Sequence, residues 1–135
     1  MKISFLSDSE SGVNVFPELA AKIREEIADI EIDEVFVPKK EDIPKKAMEL
    51  CQETDLVFVL CLYSEPSSRY ETILSKLIDV ELKTGISIAK SFEQSDIFDL
   101  DTAEEIALEK EAIAKKLGDY LVNLLFHPDR FVPEK

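Results

Sequence analysis

A small set of side chains in this chain is suited to moving a proton or holding a flat ring, and most of them fall where loops are expected. Glu65 and Glu71 bracket the stretch Pro66-Ser67-Ser68-Arg69-Tyr70. Two carboxylates so placed can act as an acid/base pair. Ser68 and Glu71 also have capping-box spacing, which would make Glu71 a helix-start residue and leave Glu65 solvated. Tyr63 ends an apolar run and offers a ring for stacking, or packs beneath a helix. His127 is the sole histidine, the residue type whose unperturbed titration falls near neutrality. It follows a long helix, where it can equally meet the C-terminal carbonyls. Asp42, just before Ile43-Pro44, reads first as a helix cap and second as a ligand or metal contact. No self-evident catalytic motif stands beside these residues. Cys51 and Cys61 lack metal or redox spacing and read as reduced, buried hydrophobes.

The elements that must position these groups follow from hydrophobic periodicity. Met1–Leu6 reads as a strand, Ser7–Val13 as a polar loop, and Asn14 to about Ala28 as a helix with Phe16, Leu19, Ala20, Ile23 and Ile27 on one face. Ile30–Val37 is a second strand, ended by Pro38. A helix then starts near Asp42, with Pro44 in its first turn and Ile43, Ala47, Leu50 and Cys51 facing inward. Asp55–Tyr63 contains the continuous apolar run of a strand buried on both faces of a parallel sheet. A third helix runs from about Ser68 to Lys83, with Ile73, Leu74, Leu77, Ile78 and Leu82 as its apolar face and Gly85 as its C-cap. Ile86–Ala89 is a short strand, and Ser91–Leu100 an acidic, solvated loop. The longest helix opens at Asp101 or Thr102, carries Ala103, Ile106, Ile113, Leu117, Tyr120 and Leu124 in one stripe, and ends near Phe126. Phe131 and Val132 anchor the tail. Alternating strands and helices predict a single α/β domain over 1–135, a three-layer α/β/α sandwich with a four-stranded parallel sheet. Ligands of such sheets bind beyond the C-terminal strand ends. Those ends are Ser7–Gly12, Val37–Pro44, Tyr63–Ser68 and Lys90–Gln94.

Composition limits the partners. The formal net charge of −13 disfavours nucleic-acid phosphate and anionic lipid. The two basic pairs, Lys39-Lys40 and Lys45-Lys46, read as solvated surface. No apolar run approaches the roughly 20 residues of a membrane span, and Met1-Lys2 leads directly into a strand instead of a signal sequence. The expectation is a cytoplasmic protein that binds neither nucleic acid nor membrane.

Two segments bring a family into view. Val37-Pro38 followed by Asp42-Ile43-Pro44 resembles the V-P-G-x-x-D-[LIM]-P loop of the lumazine synthase and archaeal riboflavin synthase superfamily. The following helix and Asp55-Leu56-Val57 fit that family's D-I-V strand. Asn123-Leu124-Leu125-Phe126-His127-Pro128-Asp129 resembles the L-L-F-K-P-E ending of the archaeal riboflavin synthases, an ending the lumazine synthases lack. Order, spacing and element lengths match over roughly Ile3 to Phe131.

The resemblance implies a lumazine-synthase-like fold and a transferase that dismutates two molecules of 6,7-dimethyl-8-ribityllumazine to riboflavin and a pyrimidinedione. It implies a homo-oligomer, a pentamer, with sites at subunit interfaces, no redox cofactor, and Mg²⁺ as the divalent ion of the archaeal branch. Carried over by position, Val37, Pro38, Asp42, Ile43 and Pro44 form a loop whose backbone contacts the ring. Asp8 is retained from the family's first loop, and Phe16 either replaces its stacking aromatic or belongs to the core. Tyr63 and Ser64 stand where substrate meets the third strand end, and Glu71 and His127 are the candidates for proton transfer. The third loop lacks the family's glycines and its His-Glu pair. The alternative reading is therefore a non-catalytic paralogue that binds lumazine or flavin, or an assembly protein, with lumazine synthase activity a further one.

Overall fold

The computed structural model describes residues 1–126. The fold is α/β, with a four-stranded, all-parallel sheet flanked by helices. The strands are β1 (Lys2–Asp8), β2 (Glu31–Val37), β3 (Leu56–Tyr63) and β4 (Ser87–Gln94), in the order β2-β1-β3-β4. The helices are α1 (Phe16–Glu26), α2 (Ile43–Leu50), α3 (Ser68–Thr84) and α4 (Ala103–Phe126). Among the described residues, no helix is long and apolar enough to cross a membrane. By their internal contacts these elements form two compact units, one of residues 1–13 and 30–99 and one of residues 14–29 and 100 onward.

The first unit holds the sheet, α2 and α3. Side chains alternate across each strand, so Leu6, Val37, Val57, Val59, Cys61 and Ile88 point to one face. There they pack with Ile43, Ala47 and Leu50 of α2 and Ile73, Leu77 and Val80 of α3. Phe5 and Phe58 project to the opposite face and meet edge to face at 5.7 Å. All of β3 before Tyr63 is buried, as expected of a central parallel strand.

The strand order also sets the location of a site. From β1 the chain crosses to β2 on one side, and then enters β3 on the other. The C-terminal ends of β1 and β3 therefore form a topological switch point, where connections diverge and leave a crevice. The last residues of these two strands are Asp8 and Tyr63.

Several boundaries differ from expectation. β4 continues through Gln94 into the stretch read as an acidic loop, because its backbone pairs with β3 as far as Tyr63↔Gln94 whatever its side chains are. The N-cap of α3 is Ser67, whose hydroxyl accepts from the Arg69 amide at 3.2 Å, so Ser68 and Glu71 form no capping box. Its buried residues are Ile73, Leu77 and Val80, while Ile78 and Leu82 are 45% and 79% exposed. The apolar arc read from the sequence is wider than the face that α3 turns to the sheet. Gly85 does end the helix, with φ of 73°.

In the second unit, α1 packs against α4. Thr102 caps α4, accepting the Glu105 amide at 3.1 Å and donating to its carboxylate at 3.0 Å. The buried stripe of α4 is Ile113, Ala114, Leu117, Gly118 and Leu121, shifted from the expected one, and Ala103 and Tyr120 are not in it. Gly118 sits at the helix crossing. A Cβ placed there lies 3.1 Å from the Lys22 Cβ and 3.8 Å from the Leu19 Cδ1. Gly118→Val should therefore cost about 1–3 kcal/mol by overpacking, read as a lower urea midpoint. A midpoint at or above that of the parent would mean that the helices separate freely.

Candidate functional site

The C-terminal edge of the α2/α3 face carries Val37, Asp8, Cys61 and Tyr63, a row dictated by strand alternation. Asp8 is the unusual member. Its carboxylate is fully buried, with Oδ2 3.2 Å from the ammonium of Lys40, itself 6% exposed. Oδ2 also accepts the Ser11 amide at 2.9 Å. Oδ1 is buried and has no hydrogen-bond partner among the described residues. Lys40 opens a short 3₁₀ turn, Lys40–Asp42, that leads into α2. Its side chain turns inward, contrary to the expectation of solvated basic pairs, because a carboxylate inside the fold needs a counter-charge.

A second tier of charges lies above this pair. The Lys40 ammonium is 3.7 Å from Glu10, whose carboxylate also accepts the Lys40 amide at 3.1 Å. Arg69, in the first turn of α3, donates through Nη2 to Glu10 and, at 2.7 Å, to Glu41 Oε1, and through Nε to Glu41 Oε2. One guanidinium thus ties together the loops after β1 and β2 and the start of α3. Burial by itself would raise the Glu10 carboxyl, but the Lys40 amide and Arg69 hold it below its ordinary value. Arg69 lowers Glu41 likewise, and its own proton is held more tightly in return. A carboxyl with a depressed folded value stabilises the fold above its unfolded value and loses that contribution as pH falls through the folded one. The clasp should therefore weaken below about pH 4.5. Because these groups are partly exposed, the change is under about 1 kcal/mol. Acid titration of the parent against Arg69→Met checks this, and equal acid sensitivity of the two would remove the clasp as its source.

On the β3 side, Tyr63 stacks on Tyr70 at 4.4 Å with planes 20° apart. The Tyr63 carbonyl accepts the Ser95 amide at 2.9 Å, and the Ser64 carbonyl accepts from Gln94 Nε2 at 3.0 Å. The third loop is thereby pinned to the end of β4. Both cysteines are free and buried. Burial first, and then the charge of Asp8, pushes the Cys61 thiol up to about 12, and burial raises Cys51 too. Neither should react with iodoacetamide in the native protein at pH 7.5, and both should react in urea. Rapid native labelling would contradict the buried placement.

The structure sorts the residues expected from sequence. Asp8, Val37, Pro38, Tyr63 and Ser64 lie at the strand ends. The Val37 carbonyl accepts from the Ser9 amide at 2.8 Å and the Ser9 hydroxyl at 3.2 Å, so it is already engaged. Ile43 and Pro44 are buried and serve packing. Asp42 is exposed and makes no side-chain cap, a correction to its expected role, because the preceding 3₁₀ turn holds it in helical geometry. Phe16 belongs to the second unit, where it is enclosed in the core and presents no ring face for stacking. Glu65 and Glu71 are exposed, and Glu71 is free of the capping-box role. His127, and the tail anchors Phe131 and Val132, lie outside the described residues. Glu10, Lys40, Glu41 and Arg69 were not singled out in the sequence. Their alternating charges looked like ordinary surface, and only the fold joins them.

Among the described residues, the carboxylates at the strand ends do not suit a divalent ion. Among the described residues, no three or more His, Cys, Asp or Glu side chains are grouped to hold a metal. The Lys40 ammonium occupies the position between Asp8 and Glu10 that a cation would take.

These features define an α/β protein with a polar, partly aromatic site at the C-terminal ends of parallel strands. No family model matches the chain, and no curated protein matches it. Among solved structures, it is similar to a phosphate-loop protein, with 23% identity over 71% of this chain and 82% of that one and a TM-score of 0.42. It is also similar to a flavodoxin-like domain from Synechococcus sp, with 15% identity over 90% of this chain and 99% of that one and a TM-score of 0.35.

Proposed function

We propose that this chain is a riboflavin-synthase-type transferase of the archaeal kind, a homo-oligomer that binds 6,7-dimethyl-8-ribityllumazine beyond the strand ends and dismutates two molecules of it. The observation that carries this reading is the Tyr63–Tyr70 stack at the switch point, beside the buried Asp8. A flat heterocycle gains most from an aromatic face that is already oriented. Asp8 is fully buried and supports the site from beneath, through the Lys40 ammonium and the Ser11 amide. Exposed Ser64 and Asp42 supply further polar groups at the rim. Glu71 follows Tyr70 on the outer side of α3 and takes the proton from the acidic 7-methyl group of one ring. The carbanion so formed attacks the second ring. A four-carbon unit passes across, leaving riboflavin and the pyrimidinedione.

Ile78 and Leu82 support the assembly, pentameric by family resemblance. They share the outer face of α3 with Glu71 at helical spacing. A neighbouring copy laid along this face covers both apolar side chains and encloses Glu71.

A second reading, binding of lumazine or flavin without turnover, is favoured by the Arg69 clasp, which commits the cations at the strand ends to carboxylates. One experiment separates the two. The protein is incubated with the lumazine, with and without Mg²⁺, and riboflavin fluorescence is followed. Riboflavin above the uncatalysed rate supports the synthase. Saturable quenching of lumazine fluorescence without product supports binding alone. Neither signal, or a strictly monomeric protein, removes the proposal.

A further inference from the structure

Two surface features belong to no part of the proposed site. The first is a groove of about 400 Å³ between α2 and α3, with Pro44, Met48 and Val80 on its floor and Lys45, Lys76 and Lys83 on its rim. Of its two acidic residues, Glu49 is held by Lys46 at 3.2 Å, so Asp79 alone opposes three lysines. Among the described residues those lysines enter no ion pair. This is a locally cationic, apolar-floored groove on a chain of net charge −13.

The second feature is the first half of α4. None of the residues from Ala103 to Ala112 is buried, and Leu108 is 69% exposed. Residues 101–112 hold five carboxylates and a single lysine. Glu105 is engaged with the Thr102 cap, and Glu111 lies 3.9 Å from Lys22. Asp101, Glu104 and Glu109 enter no ion pair among the described residues. A helix half with only a half-buried face, Ile106, Glu109 and Lys110, gains little beyond its cap and intrinsic propensity, and an exposed leucine among carboxylates leaves apolar surface in water.

These features are complementary in charge and in apolar character. We infer that the first half of α4 docks in the α2–α3 groove of a second copy of this chain. Leu108 enters against Met48 and Val80, and Glu104 and Glu109 face Lys76 and Lys83. The two patches differ, so the contact is heterologous, head to tail between copies. It is independent of lumazine binding and of the outer face of α3.

Charge reversal tests it. Lys76→Glu/Lys83→Glu and Glu104→Lys/Glu109→Lys are each made in the full chain, checked for an unchanged melting temperature, and examined by sedimentation alone and as an equimolar mixture. Each variant alone should associate about tenfold more weakly than the parent or worse, and the mixture should regain most of the lost association, because opposite charges again meet wherever unlike variants are neighbours. Raising salt from about 50 to about 500 mM should by itself weaken association of the parent. A monomeric parent, variants that assemble like the parent, a mixture that stays dissociated, or assembly indifferent to salt would each overturn the inference. A parent and variants that assemble equally would leave the homo-oligomer reading intact and remove this interface alone.

Discussion

Lys40→Met should destabilise the protein by about 3–5 kcal/mol, the cost of leaving a buried carboxylate without its counter-charge. Asp8 is completely enclosed, and its nearest cation is the Lys40 ammonium at 3.2 Å. Without it, Asp8 keeps only the Ser11 amide, which cannot replace a full charge. For a chain of this length the loss corresponds to a fall in melting temperature of roughly 10–20 °C. Urea unfolding gives the value directly, provided the slope stays constant. Asp8→Leu/Lys40→Met should recover most of the loss, because replacing both charges by apolar groups of similar volume is near neutral. A single variant as stable as the parent would show that water reaches Asp8 once Lys40 is gone. Asp8 Oδ1 has no hydrogen-bond partner among the described residues, so the Lys40 charge carries most of the compensation for burying Asp8.

Glu71→Gln should lower riboflavin formation about 10²–10⁴-fold, the usual contribution of a positioned acid/base group. The amide keeps the shape and removes the basicity. Thermal stability should not change, because Glu71 is exposed and Ser67, not a Ser68–Glu71 pair, caps α3. Lumazine binding, read by fluorescence quenching, should be retained, since the proposed stacking face belongs to Tyr63 and Tyr70 and not to Glu71. Turnover within a few-fold of the parent would remove Glu71 from proton transfer and leave Glu65 and His127 as the remaining candidates.

Much of the fold was legible because hydrophobic period reports local structure directly. The continuous run Leu56–Leu62 announced a central parallel strand, and Ile43, Ala47 and Leu50 announced the inward face of α2. Gly85 marked the end of α3, since its φ of 73° is readily reached only without a side chain. Where the readings slipped, a non-local partner had decided. β4 extends to Gln94 because β3 offers it a backbone ladder. Ile78 and Leu82 stay exposed because α3 turns Val80 inward. Asp8 and Tyr63 were singled out in the sequence, and the structure places them at the ends of adjacent strands. Their companions Lys40 and Arg69 were not found, because nothing local distinguishes a buried lysine from a solvated one.

By itself, the sequence determined the class: alternating strands and helices and a parallel sheet. Those features arise from short-range steric and hydrophobic periodicities that each segment carries alone. Only the tertiary structure decided which charges meet. Asp8 and Lys40 are 32 positions apart, and Glu10 and Arg69 are 59 apart, yet each pair is in contact. Coulombic attraction depends on separation and on the exclusion of water, and both are set by how the strands and helices pack.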